Sequence, residues 1–188
     1  MTPRANESDG LYPAVKPFDT RRLPVSDGHT LHVEQYGTPD GLPALFLHGG
    51  PGSGCQPGHA RQFDPARFRA VLVDQRGAGR STPRLGLDAN STPHLVADLE
   101  ALRGALGIDR WLVVGGSWGS TLALAYAQAH PERVLGLVLR AVFLGTRAET
   151  RWAFVDAART FRPDLWDRFT GLLPEAERAD PHAAAGAE

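Results

Sequence analysis

The sequence predicts an α/β fold, a mostly parallel sheet with helices on both faces, followed by the start of a separate helical region. Three observations predict it. Four short apolar runs, Ala44–Leu47, Phe68–Val73, Trp111–Val114 and Val134–Leu139, have the continuous hydrophobicity of strands covered on both faces. Segments with helical spacing separate the later runs. The first three runs each end in a glycine-rich turn: His48-Gly-Gly-Pro-Gly52, Asp74-Gln-Arg-Gly-Ala-Gly-Arg-Ser81 and Gly115-Gly-Ser-Trp-Gly119. Buried strands alternating with helices imply a parallel sheet wrapped by helices.

Residues 1–13 read as a loose lead-in. Gly28–Gly37 reads as a strand with Leu31 and Val33 on one face and His32, Glu34 and Tyr36 on the other. The cluster from Gly37 to Pro43 is a turn. A helix is expected from Thr92, with Thr92 as N-cap and Pro93 in the first helical position. Leu95, Leu99, Leu102 and Leu106 follow at helical spacing, and Gly107 falls just past the end. Ser120 to His130 reads as a second helix, with Pro131 beyond it. From Thr146 the strand signals stop, and Trp152, Phe154, Phe161, Leu165, Trp166 and Phe169 are spread over amphipathic segments. The expected division is 1–145 as the N-terminal part of the sheet core and 146–188 as the beginning of a helical cap lying over it.

Composition narrows the function classes. The 188 residues, 42% hydrophobic and 22% charged, are an ordinary globular composition of one-domain size. Asp and Glu total 21 against 20 Lys and Arg, for a net charge of −1, which gives no reason to expect nucleic acid or an anionic membrane as partner. No apolar run approaches the ~18 residues of a membrane span. Met1 to Gly10 is polar and lacks a secretory h-region, so the cytoplasm is the default expectation. Cys55 is the only cysteine, which excludes an internal disulfide and a cysteine-based metal cluster.

The chemistry concentrates at the glycine turns. Gly115-x-Ser117-x-Gly119 sits between an apolar strand and a helix, the context of a nucleophile elbow of the α/β-hydrolase type. There the turn is so sharp that small residues must flank the serine, and the helix N-terminus behind it favours negative charge. Acyl transfer also needs two donors aimed at the developing oxyanion. The backbone N–H of Trp118 is one, and Gly50 in the early loop is the other. Pro51 stiffens that loop and admits a cis Gly50–Pro51 bond. His48 precedes the serine, whereas this class orders its triad Ser, acid, His; it is read as a loop brace. The glycines after Asp74 lack the dinucleotide spacing G-x-G-x-x-G, so that turn is read as a support, with Asp74 and Arg76 in buried polar contacts. Cys55 is expected to be a bystander thiol near the site, within reach of a bulky reagent.

Together these motifs resemble the proline iminopeptidase family of α/β-hydrolases. The resemblance runs from about Gly10 to Arg178 and is strongest in His48-Gly-Gly-Pro-Gly-Ser-Gly54, Asp74–Ser81 and Gly115–Tyr126. It implies release of an N-terminal proline from a peptide through an acyl-enzyme on Ser117, with Gly50 and Trp118 as oxyanion donors and no metal or organic cofactor. Pro93 stands where the family often has tryptophan, and Ala141-Val-Phe143 replaces a more usual Gly-Ile-Phe. The family's acid and base come late, on strands after the cap, and are expected beyond residue 188. After Ser117 the only histidines are His130, a helix length away, and His182, in an Ala/Gly tail. Two other readings stand beside this one: a non-catalytic remnant of the fold, and a related esterase, amidase or epoxide hydrolase. The last would normally place Asp at position 117.

Overall fold

The computed structural model describes residues 10–178. Its first part is a six-stranded sheet formed by β1 (Asp19–Pro24), β2 (Thr30–Gly37), β3 (Leu42–Leu47), β4 (Phe68–Asp74), β5 (Trp111–Gly116) and β6 (Val134–Arg140) in the order β1-β2-β4-β3-β5-β6. β4, β3, β5 and β6 run parallel; β1 and β2 join antiparallel at one side. The helices are a single turn α1 (Pro57–Ala60), α2 (Thr92–Ala105) and α3 (Trp118–Ala129).

The two-residue period sorts each strand's side chains onto two faces. Leu31, Val33, Leu45, Leu47, Val71, Val73, Trp111 and Val113 form one core with Leu95, Leu99 and Leu102 of α2 and Leu122 and Tyr126 of α3. Tyr36, Ala44, Phe46, Ala70, Leu72 and Val114 form the other with Cys55, Ala60 and Phe63. At about 25 cal/mol per Å² of apolar surface removed from water, these two layers are the main source of stability.

β1 is the element that the sequence reading did not include. Asp-Thr-Arg-Arg-Leu-Pro has no apolar run; alternate residues are half-buried and exposed, and the strand is held by its ladder to β2, with Arg21 opposite Val33. α2 starts one residue off the expectation: Ser91 is the N-cap, with its hydroxyl 2.8 Å from His94 Nδ1, and Thr92 and Pro93 are the first helical residues. Gly107 does end this helix in a left-handed conformation, φ +64. α3 begins at Trp118, two residues before the expected start, because Ser117 itself is its N-cap. β6 pairs only with β5 among the described residues, and Leu135 and Val138 are 45% and 46% exposed.

The chain divides between Val142 and Phe143 into two compact units. The second contains α4 (Arg147–Arg151), a π-helical turn (Trp152–Asp156), α5 (Ala157–Phe161) and α6 (Pro163–Thr170). α4 opens with a capping box: Thr146 Oγ1 accepts the Glu149 N–H at 3.2 Å and Glu149 Oε2 accepts the Thr146 N–H at 3.1 Å. Val155 and Trp166 are buried; Trp152, Phe161 and Phe169 are exposed. His182 and the Ala/Gly tail lie outside the described residues. Among the described residues, no helix is long and apolar enough to cross a membrane.

Candidate active site

β5 ends in Gly115-Gly116 and α3 begins at Trp118, so Ser117 carries the whole change of direction. Its backbone sits at φ 55, ψ −125, a left-handed conformation that costs a non-glycine residue about 1–3 kcal/mol. Its neighbours hold it there. The Ser117 N–H donates to Arg140 O at the end of β6 (3.0 Å), and Ser117 O accepts the Ser120 N–H (2.8 Å). Ser120 Oγ lies 2.9 Å from Arg140 O and 3.1 Å from Gly115 O. The flanking glycines are steric requirements. A Cβ on Gly115 would run into the Gly119 carbonyl, and one on Gly119 into the Leu47 carbonyl. Among the described residues, no side chain hydrogen-bonds the Ser117 hydroxyl.

The loop after β3 lies against this turn. A Cβ built on Gly49 would be 3.2 Å from Ser117 Cβ and 3.0 Å from Gly116 O, so only glycine lets the two turns approach this closely. Gly50 follows at φ +114, and its bond to Pro51 is cis. Gly50 and Trp118 thus flank the serine, one through Gly49 and one through the chain. Neither backbone N–H is taken by an acceptor among the described residues. As the first residue of α3, Trp118 has an N–H without an intrahelical partner.

Both ring nitrogens of His48 are occupied. Nδ1–H donates to Gly49 O (2.9 Å), and Nε2 accepts the Gln75 backbone N–H (3.0 Å), which fixes a neutral tautomer. Burial also holds its pKa below the ordinary histidine value. It braces the loop and has no lone pair left for Ser117.

The Asp74–Ser81 turn is a support. Burial works to raise the Asp74 pKa. The Arg80 guanidinium and the backbone N–H groups of Cys55 (2.6 Å) and Arg80 (2.9 Å) outweigh it and keep the carboxylate ionised. Arg80 also reaches Glu34 at 2.7 Å. Arg76 makes a two-pronged pair with Asp98 of α2 at 2.6 and 2.8 Å. Cys55 corrects the sequence reading: its backbone leaves the loop, but its side chain is buried in the core and its thiol donates to Val73 O at 3.3 Å. Burial and the nearby Asp74 push the thiol pKa up, which disfavours the nucleophilic thiolate. Sequence reasoning also passed over Gln75, whose side chain bridges His48 and Trp118.

A cavity of about 690 Å³ opens beside the turn, walled by Pro51, Gln75, Leu85, Leu87, Asn90 and Trp118. No group of three His, Cys, Asp or Glu that could hold a metal occurs among the described residues.

A profile of the α/β-hydrolase fold matches residues 43–180, and the chain belongs to that family. Within it the chain is similar to proline iminopeptidases. It is 55% identical over 170 residues to the proline iminopeptidase of Xylella fastidiosa strain 9a5c, covering 90% of this chain and 54% of that one. It is 54% identical over 168 residues to the Arabidopsis thaliana proline iminopeptidase, covering 89% and 44%. The chain therefore spans about half the length of the curated relatives it matches. A solved structure of a Vigna radiata epoxide hydrolase mutant superposes with a TM-score of 0.60 at 30% identity, covering 90% of this chain and 52% of that one.

Proposed function

We propose that this chain carries the nucleophile half of a cytoplasmic serine peptidase that releases proline from the N-terminus of peptides. The observation that carries the reading is Ser117, held at φ 55 between β5 and α3 with Gly49 packed against it, in a chain about half identical to proline iminopeptidases. Ser117 Oγ attacks the prolyl carbonyl carbon. The Gly50 and Trp118 N–H groups receive the oxyanion, where such donors act most strongly. Collapse breaks the C–N bond, and the serine's proton leaves on the departing amine. Water then attacks the acyl-enzyme, frees proline and returns the proton to Ser117. The sequence uses no metal or organic cofactor, since a serine activated by a positioned base suffices. That base is not His48, and we place it and its acid partner outside residues 1–188. Residues 146–188 are read as the beginning of a cap. Serine in the elbow separates this chain from the epoxide hydrolases it superposes on.

The test is fluorophosphonate labelling and turnover of proline arylamides by the full-length gene product. Ser117→Ala should abolish both; loss of the nucleophile in a serine triad costs about 10⁶ in kcat. Free-amine substrates should outpace N-blocked ones. Labelling at another serine with Ser117→Ala still active refutes the nucleophile, and equal rates on blocked substrates indicate a general amidase or esterase.

A further inference from the structure

From its three hydrogen bonds, we propose that Gln75 is a positioning residue that sets the spacing between the two oxyanion donors, an inference that rests on the reading of Gly50 and Trp118 above. Gln75 follows β4 directly and is 4% exposed. Its side-chain Oε1 accepts the indole N–H of Trp118 at 3.0 Å. Its Nε2 donates to the carbonyl oxygen of His48 at 2.9 Å, and its backbone N–H donates to His48 Nε2 at 3.0 Å. One residue on one strand end therefore grips both the first residue of α3 and the root of the Gly49-Gly50 loop. Those two segments leave the neighbouring strands β5 and β3 and pack closely beside the serine.

The chemistry of the partners dictates an amide here. An indole N–H can only donate, and a backbone carbonyl can only accept. The bridging group must accept on one side and donate on the other, in a fixed orientation. A carboxylate would face the His48 carbonyl without a proton and bring a buried charge. A hydrocarbon would leave a buried carbonyl unpaired. The bridge also needs no proton exchange with substrate, so Gln75 acts through Gly50 and Trp118 and not on the reacting atoms.

Displacing a donor by about 1 Å is enough to cost about 10²-fold in rate. Gln75→Leu and Gln75→Glu should therefore slow fluorophosphonate labelling of Ser117 by about 10- to 100-fold, the range set by partial loss of one oxyanion donor. Trp118→Phe removes one of the two side-chain bonds while keeping the backbone N–H, and should give a smaller loss. Adding Gln75→Leu to Trp118→Phe should cost less than the product of the two single losses, because they share one bond. With proline arylamide as substrate, kcat should fall by the same factor while KM moves less than about twofold, because oxyanion contacts form in the transition state. Thermal unfolding of each variant reports whether the fold is kept.

Labelling as fast in folded Gln75→Leu as in the unsubstituted protein overturns the inference. So does a loss that appears in KM alone, or one that tracks the unfolded fraction, which would make Gln75 a stability residue only. If Ser117 in the unsubstituted protein fails to label at all, the nucleophile reading fails first. Labelling does not depend on proline as the substrate, so the two failures are separable.

Discussion

Arg76 offers a sharp energetic test of how the Asp74–Ser81 turn is held. Its side chain is fully buried, and its charge is met by Asp98 at 2.6 and 2.8 Å and, more distantly, by the half-exposed Asp27 at 3.3 Å, with Ser26 Oγ at 2.6 Å and Ala89 O at 2.8 Å completing the shell. Asp98 is 3% exposed. The pair thus joins the turn after β4 to α2, the β1–β2 connection and the loop before α2. Asp98→Ala leaves the buried guanidinium with only the half-exposed Asp27 carboxylate at 3.3 Å, and breaking a buried pair by removing one partner costs about 3–5 kcal/mol. The remaining ion pair to Asp27 and hydrogen bonds to Ser26 and Ala89 place the expected loss at the lower end, about 3 kcal/mol. For a protein of this size that is a fall in Tm of about 6–12 °C. Urea denaturation followed by far-UV circular dichroism measures it as a lower midpoint at unchanged slope. Replacing both partners, as Arg76→Met with Asp98→Leu, removes the stranded charge and should recover most of the loss. A cost below about 1 kcal/mol for Asp98→Ala, within the range of exposed pairs, refutes the reasoning. A double variant that loses the sum of both single variants refutes it too.

Two further outcomes concern Cys55 and Glu100. Cys55 should resist a thiol reagent in the native protein on the timescale that fully modifies the urea-unfolded chain; stoichiometric native labelling would contradict its burial. Arg103 and the Tyr126 hydroxyl hold the Glu100 carboxyl down at about 2 from 4.5. A carboxyl depressed on folding contributes stability that is complete above its unfolded pKa and is lost as pH falls through the folded one. Stability measured by urea midpoint should thus decline between about pH 4.5 and 2, and Glu100→Gln should flatten that part of the profile. An identical profile in the variant would show that other carboxylates carry the acid response.

The central sheet was legible because burial on both faces writes itself as continuous apolar runs: β3, β4, β5 and β6 lie where those runs lie. The two faces of β2 were also readable, since Leu31 and Val33 pack in one core and Tyr36 in the other. β1 was not, because a strand at the side of a sheet with three charged residues in six is held mainly by its hydrogen bonds to β2. The same limit applied to side-chain direction. Cys55 follows the Gly50 loop in sequence, yet nothing in one-dimensional order says that its thiol turns into the core. Gln75 was hidden for a related reason: its partners stand 27 and 43 residues away, and an amide's worth depends on both being present.

The carbonyl of Arg140 gives the nucleophile a reference point outside its own turn. It takes the Ser117 N–H and lies within hydrogen-bond distance of the Ser120 hydroxyl, so the serine's height above the sheet is measured from the tip of β6. The flanking glycines forbid the turn from yielding on the β3 side, where Leu47 and Gly49 already touch it. The elbow is thus clamped between a steric wall on the β3 side and a hydrogen-bonded post on the β6 side. The position of β6 thus enters the active-site geometry through one carbonyl, although no side chain of that strand hydrogen-bonds the serine.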